Sequence, residues 1–79
     1  MMPGGERLGF HEGTRAARAI RRLRNERGLS QADLAAKLGK TVSWVGHRET
    51  GAVRLRKGDA EMIAAELGTD LTGLTGGAA

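Results

Sequence analysis

Between Gly28 and Gly51 the chain has room for two short helices and almost nothing to connect them. Ser30 is a strong N-cap residue, and Asp33, three positions on, suits the positive end of a helix. Leu34, Ala35 and Leu38 then recur at helical spacing, and Gly39 ends the run. Only Lys40 and Thr41 separate it from a further run, "VSWVGHRETG". Two helices joined by so tight a glycine turn must brace one another, and that fixes the middle of the fold.

The flanking segments repeat the same grammar. "TRAARAIRRLRNERG" reads as a first helix capped by Thr14 and stopped by Gly28, with Ala16, Ala19, Ile20 and Leu23 on its inner face. "KGDAEMIAAELG" places Ala60, Ile63, Ala64 and Leu67 together before Gly68. "TDLTGL" adds a last turn capped by Thr69 or Asp70, with Leu71 and Leu74 for the core. No stretch alternates as a strand does, and the chain has one Phe and no Tyr. The expected fold is all-α, five short helices over residues 14–75. Residues 1–13 are glycine-rich and aperiodic, a flexible tail with Phe10 as its one anchor, and 76–79 should fray. His11, within that tail, has no expected role.

With 79 residues this is one small domain. The absence of cysteine removes disulfides and thiolate sites. No apolar run approaches the ~20 residues of a membrane span, and the start lacks the order of a signal peptide. A cytoplasmic location without membrane contact is expected. Charge is unevenly divided: residues 14–29 carry six Arg and one Glu, residues 52–58 carry Arg54, Arg56 and Lys57, and residues 59–79 carry only acids. A basic front suits a polyanion. No paired carboxylates, metal-spaced histidines or Ser–His arrangement suggest an enzyme, and no cofactor is expected. One Trp and one Phe give almost no platform for stacking single-stranded bases.

Stepping the third helix by 100° per residue from Val45 places Val42, Arg48 and Glu49 within ~60° of the inner face. Ser43, Gly46, His47 and Thr50 fall opposite. Trp44 lies on the flank, in the same row as Arg48, where it can act as a hydrophobic lid, a backbone contact through its indole N–H, or an anchor for a protein partner; the flank favours the first two together. Gly46 costs the helix roughly 1 kcal/mol relative to Ala, either simply tolerated or retained for close approach to a surface.

"LRNERGLSQADLAAKLGKTVSWVGHRETG" resembles the lambda-repressor-like, Xre-type helix-turn-helix family, and the likeness continues through "MIAAELGTDLTGL". The resemblance implies a sequence-specific regulator of transcription that binds double-stranded DNA; repressors of this type usually bind two-fold sites as homodimers, while activation or repression and the oligomeric state are left open. It implies a phosphate contact for Gln31, a DNA-facing row of Thr41, Val42, Ser43 and His47 whose last three reach base edges, and backbone contacts from Thr50, Arg54, Arg56 and Lys57. Trp44 joins this set through its indole. It also implies a partly buried ion pair between Arg24 and Glu49. Lys40 and Arg48 depart from the family pattern, which places aliphatic residues there. Snorkelling of both stems toward water is the favoured reading, with a cation–π pair between Arg48 and Trp44 or a phosphate contact as alternatives. Arg18, Arg21 and Arg22 read as a solvated face, with peripheral phosphate contact as the alternative. A rival function from another class is an antitoxin-like adaptor that keeps the fold but acts on a protein partner through Trp44 and the acidic carboxyl half.

Overall fold

The computed structural model describes the backbone of residues 4–75 and the side chains of residues 15–74. Five helices follow in order: α1 (Gly4–Glu26), α2 (Gln31–Leu38), α3 (Val42–Thr50), α4 (Lys57–Glu66) and α5 (Leu71–Thr75), with no strand among the described residues. α1 packs against α3 and α5, α2 against α3 and α4, and α4 against α5. One core results. Ile20, Leu34, Ile63, Leu67 and Leu74 are fully buried at its centre, joined by Ala19, Ala35, Val45, Ala60 and Ala64. Alanine at so many of these positions lets short helices approach closely, which is how a chain this small encloses a core.

Helix boundaries follow local chemistry. Ser30 Oγ accepts from the Asp33 amide while Asp33 Oδ2 accepts from the Ser30 amide, both at 2.9 Å, a reciprocal box that starts α2. The Ser30 backbone amide, and then its hydroxyl, hold the Asp33 carboxyl below its ordinary value. A carboxyl lowered in the folded state favours folding above its unfolded pKa, so this part of the cap is intact at neutral pH and is lost as pH falls through the folded value. Gly39 ends α2 at φ +70°, a conformation that a Cβ disfavours, and the Lys40 amide then reaches the Ala35 carbonyl at 2.9 Å. Gly51 ends α3 in the same way, with the Ala52 amide on the His47 carbonyl at 3.0 Å. Asp70 caps α5, its Oδ1 accepting from the Gly73 amide at 3.0 Å.

The structure corrects the start of α1. Its helix begins at Gly4, so Thr14 lies inside it and not at its start. Once the packed segment around Ile20 has nucleated a helix, each further residue adds a hydrogen bond at little cost, and glycine weakens that propagation without forbidding it. The side chains of Phe10 and His11, and residues 76–79, lie outside the described residues. No described helix is long and apolar enough to cross a membrane.

Candidate nucleic-acid interface

α3 is oriented by its two buried residues. Val45 is 2% exposed against the core, and Glu49 is 6% exposed although it is charged. Burying a carboxylate requires a partner, and Arg24 of α1 supplies it. Arg24 Nε donates to Glu49 Oε2 at 2.5 Å and Nη2 to Oε1 at 2.9 Å, while Nη1 donates to the Leu29 carbonyl at 2.8 Å. The fork therefore ties three segments together: α1, the turn before α2, and the base of α3. Hydrogen bonding to Glu49 raises the Arg24 pKa further, burial opposes this, and the charge of Glu49 adds to the rise. Gln31, at the first turn of α2, completes the network by donating from Nε2 to Glu49 Oε1 at 3.2 Å.

Gly46 sits directly over that glutamine. A Cβ at position 46 would lie 3.7 Å from both Gln31 amide atoms, which is ordinary contact. Gly46→Ala should therefore raise stability by up to ~1 kcal/mol in denaturant unfolding, the intrinsic gain of Ala over Gly within a helix. A loss of stability would show instead that the Gln31 side chain cannot hold its bond to Glu49 beside a methyl group.

The outward side of α3 carries no Lys, Arg, Asp or Glu. Ser43, His47 and Thr50 are exposed, and Val42 is 46% exposed. Val42 departs from the expected inner position beside Val45. It is the first residue of α3, and at a helix start there is no preceding turn to lie against, so rotation angle alone does not bury it. Thr41, also exposed, caps the helix: its Oγ1 accepts from the Trp44 amide at 3.1 Å. The Thr50 hydroxyl closes the other end, donating to the His47 carbonyl and accepting from the Ala52 amide, both at 3.3 Å.

Trp44 turns aside from this surface and packs, half-buried, against the core. The Arg48 guanidinium carbon lies 3.9 Å from the indole centroid and Lys40 Nζ lies 5.2 Å from it. Arg48 Nη1 donates to the Trp44 carbonyl at 3.1 Å. Its Nε lies 3.9 Å from Asp59 Oδ2 of α4, an ion-pair distance at which it makes no hydrogen bond. Snorkelling thus fails for Arg48, whose side chain is only 14% exposed. The ring and the Asp59 carboxylate give the charge nearer partners than water does. Lys40, which is exposed, keeps its charge at the surface while leaning on the ring.

Sequence reasoning missed several of these roles, the Gln31 bond to Glu49 among them. Thr41 as a cap was open to it, since Thr directly before a helical run is a recognised start signal. The Arg48–Asp59 approach was not, because it depends on how α4 docks.

Arg54, Arg56 and Lys57 are exposed in the segment leading into α4, and with Val53 and Leu55 they line a shallow, open concavity. Arg56 occupies the N-cap position of α4 without making a side-chain cap, so no side chain caps the amides of the first turn. A short helix with an exposed face, braced by a second helix through a glycine turn and followed by exposed cations, is the arrangement of a helix-turn-helix. A helix-turn-helix family model matches residues 20–74. The chain belongs to the lambda-repressor-like, Xre-type helix-turn-helix family. This is a DNA-binding family, and the match runs from the last two turns of α1 to α5, so all five helices contribute to it. No significant match was found among curated proteins or among solved structures.

Proposed function

We propose that the protein is a sequence-specific regulator of transcription that reads duplex DNA with the outward face of α3. The observation that carries this reading is the division of labour along α3: Val45 and Glu49 are buried, Trp44 is held aside, and Val42, Ser43 and His47 are left facing out. Val42 offers methyl groups to a thymine methyl, the Ser43 hydroxyl donates or accepts, and His47 donates to guanine N7 or O6. Small uncharged residues such as Val42 and Ser43 suit the major groove, because they admit close approach without a charge to desolvate.

Phosphate contacts fall to the segment beyond α3. Arg54, Arg56 and Lys57 surround the uncapped start of α4, where backbone amides and the helix dipole favour an anion. Asp59 in that first turn would oppose a phosphate, and Arg48 beside it offsets the charge. Gln31 donates one amide proton to Glu49 and keeps the other for a backbone oxygen near the start of α2. Thr41 and Thr50 contact backbone from the two ends of α3. The indole N–H of Trp44 makes no hydrogen bond within the described residues and serves a flanking phosphate. A homodimer on a two-fold site would bring two such faces to successive turns of the groove. The adaptor reading loses weight here: its anchor, Trp44, is packed on the core and covered by two cations.

The test is selection of binding sites from random duplexes, followed by variants on the selected site. Lys57→Ala and Arg54→Ala should each weaken every sequence alike and reduce the salt slope by ~1. A change in which bases are preferred would move that residue from backbone contact to base reading. Failure to enrich any duplex sequence would leave a protein partner as the target.

A further inference from the structure

We infer that the outer face of α1 is a second duplex-DNA surface, one that grips phosphates and reads no bases; it rests on the DNA-binding reading above. Ile20 marks the buried side of α1, and stepping by 100° per residue puts Arg15, Arg18 and Arg22 within about 40° of the opposite direction. All three are exposed. Arg22 has a weak partner in Glu26 at 3.7 Å, with both side chains open to water. Arg15 and Arg18 have no carboxylate partner among the described residues.

This stripe is unfavourable to its own helix. Spacings of three and four residues set the guanidinium groups beside each other, and like charges at those spacings repel. An approaching polyanion removes that repulsion. The stripe spans about 10 Å of helix axis, over which one strand of duplex DNA presents about three phosphates. Arginine forks also match phosphate oxygens in geometry.

The same face argues against a protein partner. Interfaces between proteins centre on apolar or aromatic anchors. The exposed neighbours of the stripe are Arg21, Asn25 and Glu26, while the exposed large apolar residues, Val42 and Val53, lie on α3 and just beyond it. The base-reading face of α3, in contrast, carries no formal charge at Val42, Ser43 or Thr50. Much of the cationic surface therefore lies off the recognition helix, where sequence reading has no use for it.

The experiment compares the full 79-residue chain with a triple variant, Arg15→Gln, Arg18→Gln and Arg22→Gln, and with a reading-face variant, Ser43→Ala and His47→Ala. Each is measured for thermal melting and for binding, across a salt series, to a selected duplex, a random-sequence duplex and poly-glutamate. The triple variant should melt no lower than the parent and lose at least about tenfold in affinity for random duplex at low salt. Its salt slope should be shallower by about 2–3, with unchanged base preference. The reading-face variant should keep the full slope on random duplex and lose its preference for the selected site. A triple variant with the parent's slope overturns the inference and leaves sequence reading by α3 untouched. A parent without sequence preference, whose random-duplex binding still depends on the stripe, overturns the α3 reading and leaves the inference standing. Stripe-dependent binding to poly-glutamate that exceeds binding to duplex overturns the inference in favour of an acidic protein.

Discussion

Arg24→Ala should lower the unfolding free energy by about 3 kcal/mol, while Arg21→Ala, three residues earlier on the same helix, should change it by less than ~0.5 kcal/mol. The two side chains have the same chemistry, so burial and partners make the difference. Arg24 is 8% exposed and makes three hydrogen bonds, two to Glu49 and one to the Leu29 carbonyl. Removing it leaves a carboxylate buried with only the Gln31 amide for company. Arg21 is exposed and lacks any such network. The loss belongs to the stranded charge more than to the intrinsic strength of the pair. A double variant, Arg24→Met with Glu49→Leu, should therefore recover much of the stability, since apolar residues of similar volume commonly replace a buried ion pair without penalty. Denaturant unfolding of the four proteins checks this. Equal losses for Arg24→Ala and Arg21→Ala would mean that Glu49 finds water or another partner once Arg24 is gone.

Trp44→Ala should cost about 2 kcal/mol, less than a fully buried Trp because the side chain is only half-buried. The truncation removes packing against the core and strips Arg48 of the surface on which its guanidinium lies. Arg48 would keep its bond to the Trp44 carbonyl and its approach to Asp59, neither of which compensates for the lost ring. Binding should weaken for every duplex sequence together, because α3 is loosened without any base contact being removed. Trp44→Phe should recover most of the stability, since it keeps an aromatic face for the cation. If Trp44→Ala left melting unchanged but altered base preference, the indole would belong on the reading surface and the rotation of α3 would be wrong.

Residues whose environment depends on one helix were legible in the sequence, and those whose environment depends on docking were not. Val45 and Leu34 are fixed by helical period, Ser30 and Asp33 by their mutual hydrogen bonds, and Gly39 by the left-handed conformation of the turn. Arg48 shows the opposite case. Its rotation angle gives the correct inward direction, but its approach to Asp59 requires α4 to be placed first. The amino end of α1 was hidden for another reason. Gly4, Gly5, Gly9 and Gly13 read as interruptions, yet each lowers helix propensity by only about 1 kcal/mol and none closes the helix. On α3, the exposed positions Ser43, His47 and Thr50 were legible because Val45 sets the phase of the helix, and Val42 escaped because its end position does not follow that phase.

The claim on which the functional account rests is that α3 reads bases through its outward row, and His47 tests it most directly. His47 is exposed, and its side chain makes no hydrogen bond within the described residues, so removing the imidazole should leave melting nearly unchanged. Binding of His47→Ala to a selected site and to its single-base variants should show preference relaxed at about one base pair per half-site. The discrimination lost there should be ~1–3 kcal/mol, with other positions read as before. A His47→Ala protein that keeps the parent's preference at every position would contradict the account.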